Sequence, residues 1–294
     1  MSTEQQLALD ANLRQGELDL SADVPALRAG FNEVMARIPV AGDVEQRPTS
    51  LGVSGVEVTI RGVDAAGVIL YFHGGVYVIG SAVSTVPLVS DLARRARVKA
   101  VTLDYRLAPE HPYPAAADDA VAAYEGLLDQ GIDPGQIALA GESAGGGLAI
   151  ATLLALRDAG RPLPCSAYVM SPYVDLTPSG DTLPEKQAVD PILSPEGLRL
   201  RVPDYVAGAM AEDPRISPIF GDLAGLPPLL IQVGSHEILL SDALRLAVRA
   251  ARDDVAVTLE VTPGVPHVFQ GFAAMLDEGD AALARASAFL DEHF

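Results

Sequence analysis

A single serine, Ser143, stands among small residues in the middle of the chain, in the stretch "AGESAGG". The apolar run "QIALA" precedes it and an apolar helical pattern follows, which predicts a sharp turn from a strand into a helix. Gly141 and Gly145 complete the Gly-x-Ser-x-Gly pattern that exposes a nucleophilic serine on such a turn. The pattern alone is weak, because glycine-rich turns also occur at these junctions for packing reasons. A catalytic Ser143 therefore requires a base elsewhere in the chain.

Two residues near the end of the chain could supply that base and orient it. His267 lies in a loop directly after the last predicted strand, where its side chain can reach over the sheet's carboxyl edge. Glu237 follows the preceding predicted strand, "PPLLIQVG". Asp242 is a competing acid, but it lies further into the next helix, where it suits a cap or a partner of the helix dipole. The chain order of serine, acid and histidine is that of the α/β-hydrolases.

Acyl transfer also needs hydrogen-bond donors for the negative oxygen that develops on the attacked carbonyl. The backbone amide of Ala144 directly follows the nucleophile. Gly74 and Gly75 lie in the turn after the buried strand "GVILYF", and they lack side chains that would block a ligand. We predict that these three amides form an oxyanion hole.

The elements that must position these residues follow an α/β rhythm. Predicted strands alternate with helices of about ten to sixteen residues, which indicates βαβ units and a mainly parallel sheet flanked by helices. The rhythm fails over residues 173–215, where prolines interrupt it, and long irregular segments usually cover a site. We predict a catalytic domain formed by residues 46–172 and 216–294. A helical cap would consist of residues 1–45 and 173–215.

Composition excludes several partner classes. The net charge of −19 repels nucleic acids and anionic membranes, so neither is an expected partner. No uninterrupted apolar run is long enough to span a bilayer. The polar, mixed-charge start lacks the basic and apolar regions of a secretory signal, so we expect a cytoplasmic protein.

Three motifs together resemble the bacterial hormone-sensitive-lipase-like esterases, from about residue 68 to the C-terminus: "YFHGGVYVIGS", "LDYRLAPEHPYPAAADDA" and "IALAGESAGGGLA". The resemblance implies an α/β-hydrolase sheet of about eight mostly parallel strands with a helical cap. It implies a serine carboxylesterase or lipase-like enzyme that hydrolyses short- to medium-chain esters without a cofactor or a metal. It also implies a homodimer through the edge of the sheet.

Carried onto this sequence, the resemblance assigns Ser143 as nucleophile, Glu237 as acid and His267 as base. It assigns Gly74, Gly75 and Ala144 to the oxyanion hole. Three positions depart from the usual pattern. Val76 stands at the third glycine of the His-Gly-Gly-Gly motif, Glu142 stands before the serine where aspartate is common, and the triad acid is glutamate rather than aspartate.

Substrate choice depends on the cap, for which the sequence gives only candidate apolar walls. These are Phe31, Met35, Tyr77, Tyr173, Val206 and Met210. We predict a small-molecule ester as substrate, although the same triad would also serve a lactone or an amide hydrolase. A non-catalytic ligand-binding protein on the same fold is a further alternative, disfavoured because the histidine and the acid are both present.

Overall fold

One eight-stranded sheet forms the centre of the molecule in the computed structural model, which describes residues 2–16 and 19–294. The strand order is β1-β2-β4-β3-β5-β6-β7-β8. The strands are β1 (Val44–Ser50), β2 (Ser54–Ile60), β3 (Val68–Phe72), β4 (Lys99–Leu103), β5 (Ile137–Glu142), β6 (Ser166–Met170), β7 (Leu229–Gly234) and β8 (Val257–Thr262).

The sheet is mostly parallel, as the sequence predicts. The hairpin of β1 and β2 is antiparallel, β2 also runs antiparallel to β4, and every other neighbouring pair is parallel. All residues of β3, β6 and β7 are buried, which explains why these strands read as continuous apolar runs rather than as alternating patterns. Because β5, β6, β7 and β8 are consecutive parallel neighbours, their carboxyl ends share one edge of the sheet.

Helices cover both faces of the sheet. They are α1 (Thr3–Leu13), α2 (Val24–Met35), α3 (Val86–Ala96), α4 (Ala115–Asp129), α5 (Ala144–Asp158), α6 (Thr182–Lys186), α7 (Pro195–Val206), α8 (Leu240–Arg252) and α9 (Asp277–His293). Buried side chains of α3 and α9 pack on one face, and those of α4, α5 and α8 pack on the other. The α/β-hydrolase architecture predicted from the sequence is therefore confirmed.

Helices α2 and α7 belong to the two segments predicted as a cap, and hydrogen bonds join these segments. The Arg201 guanidinium on α7 donates to the carbonyl of Leu20 at 2.8 Å and to that of Ala22 at 3.3 Å, just before α2. The Arg28 guanidinium on α2 donates to the carbonyl of Val78 at 2.8 Å, in the glycine-rich turn after β3. The division into a catalytic domain and a two-part cap stays a prediction, and Met1, Glu17 and Leu18 of its first part lie outside the described residues.

A membrane-spanning helix is absent from the described part of the chain: none of its helices combines the length and the apolar character that a bilayer crossing needs.

Candidate active site

Ser143 occupies the tight turn between β5 and α5. Its backbone has φ +54° and ψ −121°, a strained conformation for a residue with a side chain. The turn is fixed from both sides, because the Ser143 amide donates to the Met170 carbonyl at 2.9 Å and its carbonyl accepts the Tyr173 amide at 2.9 Å. A Cβ atom on Gly145 would lie 2.0 Å from the Phe72 carbonyl oxygen, so only glycine fits there. Small residues thus let the turn press against its neighbours, as the sequence pattern indicates.

Glu237 and His267 form a buried acid–base pair. Glu237 Oε2 lies 2.8 Å from His267 Nδ1. The other oxygen, Oε1, accepts hydrogen bonds from the Ser171 hydroxyl at 2.7 Å and from the Gly234 amide at 2.7 Å. Because Oε2 receives the Nδ1 proton, the pair leaves Nε2 of the neutral imidazole as the atom able to accept a proton.

The electrostatic surroundings favour the protonated form of His267. Burial alone lowers its pKa, but the charge of Glu237 and the hydrogen bond to it raise the pKa, with smaller contributions from the charges of Asp190 and Glu142. The net result is a pKa above the usual histidine value of 6.5. An imidazole in this position holds a proton well once it has taken one from a neighbouring hydroxyl.

A short chain of hydrogen bonds brings the serine turn and the histidine loop together. The Ser143 amide binds the Met170 carbonyl at the end of β6, and the next residue, Ser171, accepts the Val268 amide on its hydroxyl at 3.0 Å. Val268 directly follows His267. No hydrogen bond between Ser143 Oγ and the imidazole is present among the described residues, so their pairing rests on this placement. Ser143 is 6% exposed and His267 is 5% exposed, which places both within a covered site.

The backbone amides near Ser143 divide into committed and free donors. The Gly74 amide donates to Glu142 Oε1 at 2.8 Å, so it does not fit the predicted role in the oxyanion hole. The amides of Gly75, Val76 and Ala144 have no acceptor in the described ranges 2–16 and 19–294. Gly75 and Val76 have φ values of +110° and +49°, which turn the chain sharply after β3. Val76, which stands at the third glycine position, therefore offers a free backbone amide.

Glu142 stabilises this turn by a hydrogen bond to its backbone. Its Oε1 binds the Gly74 amide, while its Oε2 is buried and has no hydrogen-bond partner in the described part of the chain. Burial raises the pKa of Glu142 to about 7, although the Tyr71 hydroxyl and the Gly74 amide favour the ionised form. The Tyr71 hydroxyl makes no hydrogen bond to Glu142, because it too is buried without a hydrogen-bond partner among the described residues. Glu142 therefore joins the nucleophile turn to the turn after β3.

The residues predicted as pocket walls separate into three groups. Tyr77 and Tyr173 meet at α5, since a Cβ atom on Gly147 would lie 3.2 Å from the Tyr77 hydroxyl and 2.1 Å from the Tyr173 carbonyl oxygen. Val206 is buried in the same core, and the partly buried Phe31 packs against that core. Met35 is half-buried on α2. Met210 is 75% exposed, so it does not form a buried wall in this structure.

Other polar residues near the site have structural contacts. The competing acid Asp242 accepts the amides of Val174 and Asp175 at 3.0 Å, and it does not contact His267. His73 is buried and stacked on Tyr105 at a centroid distance of 4.1 Å, and burial lowers its pKa to about 4. Neither residue is placed to act as the base or its partner.

Sequence reasoning missed two residues that support the acid. Ser171 bridges Glu237 and Val268, and Asp190 accepts the amide of Ile238, beside Glu237, at 2.8 Å. Ser171 directly follows β6, so its position at the carboxyl end of a central strand was an available signal. Asp190 lies in the irregular segment, where no periodicity points to it.

A grouping of three or more metal-ligating side chains with suitable geometry does not occur in the described residues.

Comparisons with known proteins identify the family of this chain. A family model described as the alpha/beta hydrolase fold matches residues 69–271. An acetyl-hydrolase of Streptomyces hygroscopicus is 47% identical over 222 residues, which cover 76% of this chain and 74% of that protein. An esterase of Acinetobacter venetianus is 40% identical over 266 residues, which cover 90% of this chain and 88% of that protein.

Solved structures extend the likeness to the whole chain. The crystal structure of an esterase from the bacterial hormone-sensitive lipase family superposes with a TM-score of 0.96 at 38% identity, covering 100% of this chain and 99% of that one. The family match, the relatives and the shared fold lead to one assignment: the chain belongs to the α/β-hydrolase fold family and, within it, to the bacterial hormone-sensitive-lipase-like esterases.

Proposed function

We propose that this esterase hydrolyses small carboxylic esters with Ser143 as nucleophile, His267 as general base and Glu237 as the acid that orients it. The observation that carries the proposal is the 2.8 Å contact between Glu237 Oε2 and His267 Nδ1, buried at the sheet edge that also carries Ser143. This contact fixes the tautomer in which Nε2 can accept the serine proton.

The reaction proceeds in two steps, acylation of Ser143 and hydrolysis of the acyl-enzyme. His267 Nε2 takes the proton of Ser143 Oγ while Oγ bonds to the acyl carbon, and the carbonyl electron pair moves to its oxygen. The tetrahedral intermediate collapses, the alkoxide leaves, and it takes the proton from Nε2. Water then attacks the acyl-enzyme in the same way, which releases the acid and restores Ser143.

The amides of Gly75, Val76 and Ala144 would stabilise the negative oxygen of both intermediates. They have no acceptor within the described residues, and Ala144 begins α5, whose amino-terminal dipole favours negative charge. Glu142 supports the arrangement by binding the preceding amide, that of Gly74. This assignment replaces Gly74 with Val76 in the predicted set.

We expect small esters to be the preferred substrates. Ser143 is 6% exposed, and Tyr77 and Tyr173, each 2% exposed, close the space beside α5. A relative named as an acetyl-hydrolase supports an acyl group of this size. A series of p-nitrophenyl esters from acetate to palmitate should give its highest kcat/KM at acetate or butyrate, and a maximum at palmitate would contradict a small-acyl pocket.

The decisive test of the nucleophile is Ser143→Ala against a matched control, Ser90→Ala. Ser90 is also buried, but it lies on α3 and donates to the Pro87 carbonyl, away from the site. We expect Ser143→Ala to abolish hydrolysis of p-nitrophenyl acetate and stoichiometric labelling by a fluorophosphonate, while Ser90→Ala retains both. Full activity in a folded Ser143→Ala protein would refute the proposal, and a comparison of ester, lactone and anilide rates would decide which bond is preferred.

We also propose that the protein forms a homodimer through β8, the strand at one edge of the sheet. Val261 of β8 is 43% exposed, and an edge strand offers unpaired backbone groups to a second copy. Light scattering of the wild type and of Val261→Lys should give a dimer and a monomer, respectively. The cytoplasmic location expected from the sequence stays a prediction, and cell fractionation would test it.

A further inference from the structure

Helix α1 packs against the loop that carries His267. Leu9 of α1 is 4% exposed and belongs to an apolar cluster with Val265 and Phe269, which lie two residues before and two residues after the histidine. Leu276 and Ala282 complete this cluster, which is separate from the two cores on the sheet faces. The outer side of the histidine loop is therefore packed against α1.

Polar contacts hold α1 in the same place. The Gln6 amide group donates to Glu278 Oε1 at 3.0 Å and to the Pro263 carbonyl at 3.5 Å, and the Ser2 amide donates to Glu278 Oε1 at 2.8 Å. The fit is close: a Cβ atom on Gly264 would lie 2.6 Å from Gln6 Oε1. The helix thus contacts the turn that begins the histidine loop.

The inner side of the loop is held by the chain after β7. The His236 amide donates to the Val265 carbonyl at 3.1 Å, and the Gly264 amide donates to the Ser235 hydroxyl at 2.9 Å. These bonds set how close the loop comes to Glu237. They also limit movement of the loop away from Glu237, and the apolar contacts with α1 oppose the outward movement that remains.

The far end of α1 reaches the segment that supports the acid. The Arg14 guanidinium donates to the carbonyls of Val189 at 3.2 Å and Ala188 at 3.4 Å. The next residue, Asp190, accepts the Ile238 amide beside Glu237 at 2.8 Å. One helix therefore contacts the supports of both members of the acid–base pair.

We propose that α1 is a positioning element for catalysis, and that Leu9 is a positioning residue that holds His267 in register with Glu237 and Ser143. The inference rests on the proposed role of His267 as the base. A displacement of about 1 Å in a catalytic group can lower a rate by up to about 100-fold, and the inner hydrogen bonds limit the movement here. We therefore expect Leu9→Ala to lower kcat about tenfold and to leave KM within about twofold.

The same helix offers a matched control. Leu7 is 66% exposed on α1, so Leu7→Ala makes the same chemical change without removing a buried contact. Both variants and the wild type should be assayed on p-nitrophenyl acetate well below the lowest unfolding temperature of the three. Leu7→Ala should retain the wild-type kcat, and an equal loss in both variants would overturn the proposal.

The pH profile separates positioning from general loss of stability. Burial lowers the pKa of His267, whereas the charges of Glu237, Asp190 and Glu142 raise it, and Glu237 raises it most. If Leu9→Ala loosens the contact with Glu237, the acid limb of kcat must move to lower pH. A lower kcat with an unmoved acid limb would overturn the proposal.

A milder variant keeps the test decisive if Leu9→Ala does not fold. Leu9→Val removes one methylene and should give a smaller fall in kcat with the same direction of shift. Wild-type kinetics in folded Leu9→Val, or failure of this variant to fold as well, would overturn the proposal, the latter because Leu9 would then support the whole fold. These outcomes are distinct from failure of the proposed function, which the Ser143 variant decides independently.

Discussion

Replacement of Glu237 by glutamine tests the central contact of the site with little change in shape. In Glu237→Gln, the side-chain oxygen can still accept the Ser171 hydroxyl and the Gly234 amide, which bind Oε1 at 2.7 Å in the wild type. The amide nitrogen would take the place of Oε2, 2.8 Å from His267 Nδ1. The fold should therefore survive while the partner of the imidazole changes from an acceptor to a donor.

That change reverses the tautomer of His267. A donor facing Nδ1 favours the imidazole with its proton on Nε2, the atom that must accept the proton of Ser143. Loss of the negative charge also removes stabilisation of the imidazolium that forms in the transition state. An acid-to-amide change of this kind lowers kcat about 10³- to 10⁴-fold, or about 4 to 5.5 kcal/mol in barrier height.

The pH dependence of the residual activity gives a second readout. In the wild type, the base must be neutral, and its pKa is raised above 6.5, so activity should decline on acidification from above that value. Glu237 is the largest cause that raises the pKa of His267, and burial lowers it. The acid limb of Glu237→Gln should therefore lie at lower pH than that of the wild type.

The assay is hydrolysis of ethyl acetate in a pH-stat, which measures released acid directly, with thermal unfolding by circular dichroism to confirm the fold. Asp242→Asn is the matched control, because Asp242 is a buried acid on the same side of the sheet whose pKa burial raises to about 7. Its amide form can still accept the Val174 and Asp175 amides. If folded Glu237→Gln kept more than a tenth of wild-type kcat, or if Asp242→Asn lost as much as Glu237→Gln, the assignment of the acid would be refuted.

Three further substitutions test the nucleophile turn, helix α5 and helix α2. Burial raises the pKa of Glu142 from 4.5 to about 7 in the folded state, so this carboxyl binds more protons folded than unfolded between those values, and its contribution to stability falls by up to ~3 kcal/mol as the pH rises through that range. Glu142→Gln, which can still accept the Gly74 amide, should therefore show its largest gain in unfolding temperature over wild type above pH 7. An equal difference at pH 5 would contradict this. Gly147→Ala should lower the free energy of unfolding by about 1 to 3 kcal/mol, because the new Cβ would lie 2.1 Å from the Tyr173 carbonyl oxygen; unchanged denaturant unfolding would count against that contact. Gly30→Ala should instead stabilise the protein by about 1 kcal/mol, since Gly30 lies inside α2 with nothing within 4 Å of an added Cβ, and a loss of stability there would be unexpected.

The proposed triad residues could be placed at one sheet edge from the sequence because parallel strands convert sequence position into spatial position. Ser143, Glu237 and His267 each follow the carboxyl end of a strand, and β5, β7 and β8 lie within a run of parallel neighbours. Any polar side chain just after such a strand is near the same edge, whatever separates the residues in the chain. Strand patterns therefore indicate the same sheet edge for all three residues, and the structure adds the 2.8 Å contact between Glu237 and His267.

Strand β1 escaped prediction for the opposite reason. It lies at the edge of the sheet and reads "VEQRPTS", with none of its residues fully buried. Pro48 is tolerated because an edge strand leaves one side of its backbone unpaired. A strand that buries so little carries no alternation of apolar and polar residues for a sequence pattern to detect.

The amides of the proposed oxyanion hole show a limit of another kind. Gly74, Gly75 and Val76 are adjacent, so residue types alone cannot say which amide faces the reacting carbonyl. The direction depends on backbone angles and on Glu142, which takes the Gly74 amide and leaves the next two free. A valine with φ +49° is also unexpected, because the left-handed region disfavours branched side chains. The departure from glycine was visible in the sequence, but its structural meaning required the neighbouring carboxylate.

The role of α1 lies furthest from what the sequence can indicate. Its polar and apolar residues show no strong periodicity, and its partners on the histidine loop are more than 250 residues away. A pattern over residues 1–45 indicates helices, and a helical segment ahead of this fold suggests a cover for the substrate. Burial of Leu9 against Val265 and Phe269 adds a contact with the histidine loop that no pattern in residues 1–45 indicates, and this contact supports the proposed positioning role of α1. Substitution of the buried Leu9 in α1 should therefore alter turnover, whereas substitution of Phe31 in α2 should alter which esters are accepted, and kcat and KM measured across an ester series would separate the two.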